Sequence, residues 1–223
     1  MKIKTWRIIL YTLLAAITGC ATAPKKSELD VAKEFAKSNT PIEIGGYLGA
    51  RSKYIWRGET IVDNPVGEAE VNVSRKLGPF GLEGYVWGLY DTQRVSEVDI
   101  AAKLTKQVGD ATIGVGAITY IDPKTRYHYD EAMASLKLPG PLDTEMALAG
   151  YLDLDREGKY GEFSLSKEIG KAVLKGTMGK NEGGRAWYGI DGTVQRGNFR
   201  IGLGLIKPEG EKPIPTLSLR FDF

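Results

Sequence analysis

Leu217-Ser218-Leu219-Arg220-Phe221-Asp222-Phe223 is the stretch of sequence that decides the fold. Apolar residues occupy the odd positions from Leu217 to Phe223, and polar residues occupy the positions between them. Side chains on a β-strand point alternately to its two faces. The stretch therefore predicts a strand with one apolar face and one polar face.

The same alternation recurs along the chain from residue 42 onward and predicts about twelve strands. It is clearest at residues 68–74, 98–105, 112–117, 131–138 and 199–205. A soluble β-sandwich also alternates, so the pattern alone leaves the surroundings of the apolar face open.

Short and long connections take turns between these predicted strands. The short ones carry turn residues, at Gly78-Pro79, Gly109-Asp110, Pro139-Gly140-Pro141, Gly170-Lys171 and Arg196-Gly197-Asn198. The longer ones are charged, at Thr60–Pro65, Thr92–Glu97, Asp122–Asp130, Asp155–Lys159, Asn181–Arg185 and Lys207–Pro213. Tight turns at one end and longer loops at the other are typical of outer-membrane barrels. An even number of strands puts both ends of such a barrel in the periplasm.

The first part of the sequence predicts export. Basic residues precede an apolar run at residues 8–17, which is too short to span a bilayer as a helix and is typical of a signal peptide. Ile17-Thr18-Gly19-Cys20 resembles a lipobox, which would make Cys20 a lipidation site. The alternative is an ordinary signal peptide cleaved after Ala21-Thr22-Ala23. The sequence thus divides into a signal peptide with lipobox (1–19), a tether with a short helix (20–41) and a β-barrel (42–223).

Composition excludes several function classes. The net charge is +2, from 30 basic and 28 acidic residues, so no nucleic-acid partner is expected. Cys20 is the only cysteine, which rules out a disulfide within the chain. No spacing of His, Cys and carboxylates suggests a metal site, and no cofactor is predicted. The single histidine, His128, has no adjacent serine; Ser135 lies roughly 20 Å further along the strand. We therefore predict no catalytic residues and no enzyme activity.

If the apolar face meets lipid, its polar alternates face the lumen. The predicted lumen residues are Arg51, Arg57, Glu68, Glu70, Asp99, Lys103, Arg220 and Asp222. Arg57 is expected at the top of the first strand, either paired with a lumen carboxylate or in a specific role. Aromatic residues near strand ends suggest a girdle at the lipid headgroups. These are Tyr54, Trp56, Tyr90, Tyr120, Trp187, Phe221 and Phe223.

Three segments occur in an order that resembles a known family. They are Ser52-Lys53-Tyr54-Ile55-Trp56-Arg57-Gly58, then Gly84-Tyr85-Val86-Trp87-Gly88, then Glu97-Val98-Asp99. This set resembles the TorF-type porin family of bacterial barrels. The chain departs from the family pattern at Lys53 and at Glu59-Thr60-Ile61. The resemblance implies a small outer-membrane barrel with pore function, and a final strand ending on Phe223 resembles the segment that barrel-assembly machinery reads.

Together these features predict an all-β protein, an antiparallel up-and-down transmembrane β-barrel, located in the bacterial outer membrane. The predicted function is a narrow channel for small polar solutes or ions, lipid-anchored at Cys20. The expected partners are outer-membrane lipid and the assembly machinery, and the sequence specifies no solute. Two alternatives remain: a non-conducting structural or interaction barrel, and a periplasm-facing lipoprotein barrel that binds a hydrophobic ligand on an inward apolar face.

Overall fold

The computed structural model describes residues 40–91, 94–155 and 158–223, which form a closed barrel of twelve antiparallel strands with a two-stranded hairpin. The barrel strands are β1 (Glu43–Arg51), β4 (Val66–Leu77), β5 (Phe80–Asp91), β6 (Arg94–Val108), β7 (Ala111–Asp122), β8 (Tyr127–Gly140), β9 (Thr144–Asp153), β10 (Lys159–Ile169), β11 (Ala172–Asn181), β12 (Ala186–Arg196), β13 (Phe199–Pro208) and β14 (Ile214–Asp222). The hairpin consists of β2 (Tyr54–Trp56) and β3 (Glu59–Val62). The predicted antiparallel twelve-strand barrel is confirmed.

The predicted signal peptide, Cys20 and the short helix lie outside the described residues, so they stay predictions. Among the residues that the structure describes, no helix is long and apolar enough to cross a membrane.

The barrel closes where β1 pairs with β14, in a register that sets Tyr47 opposite Asp222. Next to this paired segment, the amide of Gly46 donates a hydrogen bond to the carbonyl of Phe223 at 3.2 Å. The amide of Phe223 donates to the carbonyl of Gly46 at 3.0 Å. A Cβ on Gly46 would lie 2.9 Å from the Phe223 ring, so a small residue lets these two segments meet.

The two ends of the barrel differ in their connections. At the turn end, four two-residue turns begin with a glycine at positive φ, as in type II′ turns, at Gly78, Gly109, Gly170 and Gly197. The fifth short connection, predicted at Pro139-Gly140-Pro141, lies about two residues later: β8 continues to Gly140, and a 3₁₀ turn at Pro141–Asp143 makes the connection. The start of β1 and the end of β14 also lie at the turn end. The longer connections lie at the opposite, loop end.

The apolar face of the barrel points outward. Leu203 is 66% exposed and Ile201 is 53% exposed on β13, whereas the acids Glu68 and Asp99 are buried inside. This arrangement is the reverse of a soluble barrel, and a hydrocarbon environment explains it. The alternative of a barrel that binds a hydrophobic ligand on an inward apolar face is therefore wrong.

Neighbouring residues of β10 test the lipid-facing surface. Leu165 points outward, and Ser166 points into the lumen opposite Lys175. We expect Leu165→Arg to lower the free energy of unfolding by about 2–4 kcal/mol in lipid vesicles, because the charge would lie near the bilayer midplane. Unfolding in urea, followed by tryptophan fluorescence, measures this. Ser166→Arg is the control and should cost far less; an equal loss in both variants would contradict a lipid-facing Leu165.

Candidate functional site

The hairpin between β1 and β4 folds into the lumen instead of extending from the barrel. Tyr54 is buried, and its ring centroid lies 5.7 Å from that of Trp87 on β5. Trp56 meets Tyr120 of β7 edge to face, at 6.1 Å between centroids. The hairpin therefore packs on the inner wall formed by β5–β7, and its aromatic side chains stabilise it there.

The tip of the hairpin is a two-residue turn at Arg57 and Gly58. Trp56 pairs with Glu59, and φ is 50° at Arg57 and 81° at Gly58, as in a type I′ turn. A Cβ on Gly58 would lie 2.6 Å from the Cβ of Trp187 on β12, so glycine is required for space as well as for its backbone angle. Positive φ is uncommon for arginine, which suggests that the side chain of Arg57 is kept for a specific contact.

That contact is a bidentate ion pair with Glu131 of β8. Nη1 and Nη2 of Arg57 donate to the two carboxylate oxygens at 2.7 and 2.5 Å. The Tyr120 hydroxyl adds a third hydrogen bond, at 3.0 Å. Only 11% of the Arg57 side chain and 2% of the Glu131 side chain are exposed. Burial lowers the pKa of Arg57, but the hydrogen bond and charge of Glu131 outweigh it, so the pKa of Arg57 is raised.

The Arg57 guanidinium also reaches the far wall of the barrel. It lies 4.2 Å from the ring centroid of Tyr160 on β10 and 5.1 Å from that of Tyr151 on β9. In the ring of twelve strands, β9 and β10 stand opposite the junction of β1 and β4 from which the hairpin starts. The hairpin thus spans the lumen, held at its tip by an ion pair and cation–π contacts.

A second charged cluster surrounds Glu68 on β4. Its carboxylate pairs with Arg51 at 2.5 Å and with Arg220 of β14 at 3.4 Å. The Arg220 guanidinium also lies 4.1 Å from the ring centroid of Tyr47. This cluster crosses the seam of the barrel, so it ties β4 and β14 to the strand between them.

The eight residues predicted for the lumen lie inside the barrel, but they do not form one site. Arg51, Glu68 and Arg220 meet at the seam, while Arg57 pairs with Glu131 at the hairpin tip. Three others contact different neighbours: Asp222 pairs with Arg200 at 3.0 Å, Lys103 pairs with Glu83 at 3.3 Å, and Glu70 accepts a hydrogen bond from Asn72 at 3.0 Å. Asp99 is buried inside the barrel.

The predicted aromatic girdle is partly wrong. Tyr90, Phe221 and Phe223 point outward and are exposed, as a girdle requires. Tyr54, Trp56, Tyr120 and Trp187 instead lie in the lumen, where they contact the hairpin or form part of it. Sequence reasoning missed this inward packing, together with the roles of Tyr151 and Tyr160. Their position in the alternation could have revealed this, because Tyr120 and Trp187 lie on the same strand faces as polar residues.

Beside the hairpin, the lumen contains a cavity of about 870 Å³. It extends from the turn end, at Gly170 and Gly197, to Ile206 and Thr216 near the loop end. Lys53 and Ile55 of the hairpin segment form one side. Its charged lining residues are Arg51, Lys53, Lys171, Lys175, Arg200, Arg220, Glu168 and Asp191. The hairpin therefore fills one part of the lumen and leaves a polar space along β11–β14.

The described residues contain no group of three or more His, Cys, Asp and Glu side chains that could hold a metal ion. His128 pairs with Ile121 and points to the outer face of β8, whereas Ser135 pairs with Gly114 and points to the lumen. These two residues therefore cannot act together as nucleophile and base.

The fold is that of porin-like outer-membrane β-barrels. The chain is similar to the solved structure of KdgM porin, with a TM-score of 0.54 and 9% identity over 81% of this chain and 99% of that one. It is also similar to outer membrane phospholipase A from Escherichia coli, with a TM-score of 0.57 and 9% identity over 86% and 95% of the two chains. The phospholipase of Salmonella typhi gives a TM-score of 0.55. No protein-family model and no curated protein matches the chain, so the TorF-type resemblance stays a prediction.

A double-mutant cycle tests the contact between Arg57 and Glu131. We expect Arg57→Ala and Glu131→Ala each to lower the free energy of unfolding by about 3 kcal/mol, because each leaves a buried charge unpaired. The double variant should lose less than the sum of the two. Urea unfolding in vesicles provides all three values.

Arg185 and Glu211 supply the matched control, since they also form an ion pair at 2.7 Å but are largely exposed. The coupling energy of this surface pair should stay below about 1 kcal/mol. Additive losses at Arg57 and Glu131 would show that the two residues do not interact.

Proposed function

We propose that this protein is a narrow outer-membrane channel for small polar solutes or ions, in which the hairpin is the constriction. The observation that carries the proposal is the polar, charged cavity that runs along β11–β14 beside the hairpin. Charged side chains facing a water-filled lumen are what ion- and solute-conducting barrels use. The loop-end packing of the hairpin narrows the passage, so the conductance should be small.

The outward apolar band supports a location in the outer membrane. In the outer membrane the turn end faces the periplasm, as short turns do in bacterial barrels. The start of β1 and the end of β14 then face the periplasm as well. Membership of the TorF-type family rests on the ordered motifs, of which Trp56-Arg57-Gly58 now has a structural explanation at the hairpin tip. Outer-membrane lipid and the barrel-assembly machinery are the proposed partners.

The second candidate is a non-conducting structural or interaction barrel. It is favoured by the completeness of the packing at the hairpin tip, where Arg57 reaches the far wall and Gly58 touches Trp187. The lumen of a barrel of intermediate size can be blocked in this way by the barrel's own side chains and loops.

We also infer that the protein is not an enzyme, although two structural neighbours are named phospholipases. At 9% identity that likeness concerns the fold alone. The placement of His128 and Ser135 on opposite faces of β8 supports the inference.

Lipidation at Cys20 is a separate proposal, supported by the lipobox sequence alone. Labelling with a radioactive fatty acid tests it: label should appear on the wild type and not on Cys20→Ala, and an unlabelled wild type would contradict it.

Single-channel recording in planar bilayers tests the channel and its constriction. We expect a small, steady conductance for the wild type. Replacing residues 55–61 by Gly-Gly, which joins Tyr54 to its strand partner Val62, should raise the conductance several-fold because the lumen is then unobstructed. Replacing loop residues 209–211 by Gly-Gly leaves the hairpin intact and should change little. If the wild type gives no current and the hairpin variant does, the non-conducting barrel is favoured. If neither protein gives a current, the channel proposal is overturned.

A further inference from the structure

We propose that the cavity beside the hairpin selects small anions over cations; this inference rests on the proposed channel function. Its lining contains six basic side chains and two acidic ones, although the chain as a whole is almost neutral. The basic residues come from β1, β11, β13, β14, the hairpin segment and one turn, so they surround the cavity rather than forming one patch.

Two of the three cavity arginines, Arg51 and Arg220, present their charge to water while their shared counter-ion lies behind them; the third, Arg200, pairs with Asp222. Glu68 pairs with both Arg51 and Arg220, and its side chain has no exposed surface. In contrast, 25% of the Arg51 side chain and 30% of the Arg220 side chain are exposed. One carboxylate thus serves two guanidinium groups, and a solute in the cavity meets the N–H donors of Arg51 and Arg220 and not the carboxylate. Such donors suit carboxylates and phosphates.

Two lysines add charge without an ion-pair partner. Neither Lys171 nor Lys175 forms an ion pair with any residue in the described parts of the chain. Lys171 lies in the turn between β10 and β11, at the mouth of the cavity, and Lys175 lies further in on β11. Lys175 stands opposite Asp191 of β12 in the strand register, so Asp191 offsets part of its charge. Lys171 and Lys175 are thus the groups most available to an entering anion.

The hairpin separates the acids of the opposite wall from this space. Asp99 and Glu131 are buried inside the barrel, and Glu131 is covered by Arg57 at the hairpin tip. Neither acid lines the cavity. The acids on one side of the hairpin are therefore covered, whereas the cations on its other side face water. A permeating ion experiences the positive side of this arrangement.

The reversal potential of wild-type channels in a potassium chloride gradient tests this inference. We expect a chloride-to-potassium permeability ratio above one. A unit charge about 10 Å from an ion in water changes the occupancy of that ion roughly twofold, so neutralising both lysines in Lys171→Gln/Lys175→Gln should lower the ratio at least about twofold. The ratio should also approach that of free solution at high salt, since salt screens the charges.

Lys137→Gln is the matched control. Lys137 also points into the lumen, on β8, but it does not line the cavity and it pairs with Glu145 at 3.5 Å. Its replacement should leave the permeability ratio unchanged. A wild-type current with a chloride-to-potassium permeability ratio at or below one would overturn anion selection but not the channel. Equal changes of this ratio in the control and in the double variant would do the same. Absence of current in the wild type would overturn the channel itself and this inference with it.

Discussion

The antiparallel pairing of β1 with β14 is the constraint on which the rest of the structure depends. It removes the two free edges of the sheet, so every strand of the barrel has two hydrogen-bonded neighbours. Its register, with Tyr47 opposite Asp222, keeps the inward faces of β1 and β14 aligned across the seam. A shift of this pairing by one residue would set lumen-facing residues of one strand beside lipid-facing residues of the other. Gly46 permits this closure because its missing side chain leaves room for Phe223.

Closure of twelve strands creates an interior that side chains from the wall do not fill. The hairpin at Tyr54–Val62 occupies part of that space, where one buried ion pair and several aromatic contacts stabilise it. Its position has an electrostatic consequence, since the acid Glu131 is neutralised by Arg57 at the tip. The remaining space along β11–β14 keeps the cations.

Much of the barrel could be predicted because its determinants are local. Alternation defines each strand, and a glycine at positive φ marks most of the short turns, so strand number and the outward face of Leu217 and Leu219 followed from neighbouring residues. The inward hairpin could not be predicted, because Tyr54–Trp56 alternates like any strand, and its partners Glu131 and Trp187 lie far along the chain. The sequence offered a lumen carboxylate as one possible partner of Arg57, but it did not identify Glu131 of β8 as that carboxylate. The error at Trp187 had the same cause, because proximity to a strand end does not reveal which face a ring occupies.

The hairpin enters the lumen, and its tip contacts the barrel wall at Trp187 of β12. Nuclear Overhauser contacts in detergent micelles test it without any substitution, because Gly58 lies directly against Trp187. We expect cross-peaks between the Gly58 α-protons and the Trp187 side chain, with the glycine signals displaced by the ring current of the indole. Gly58 signals at random-coil positions, without contacts to Trp187, would contradict it.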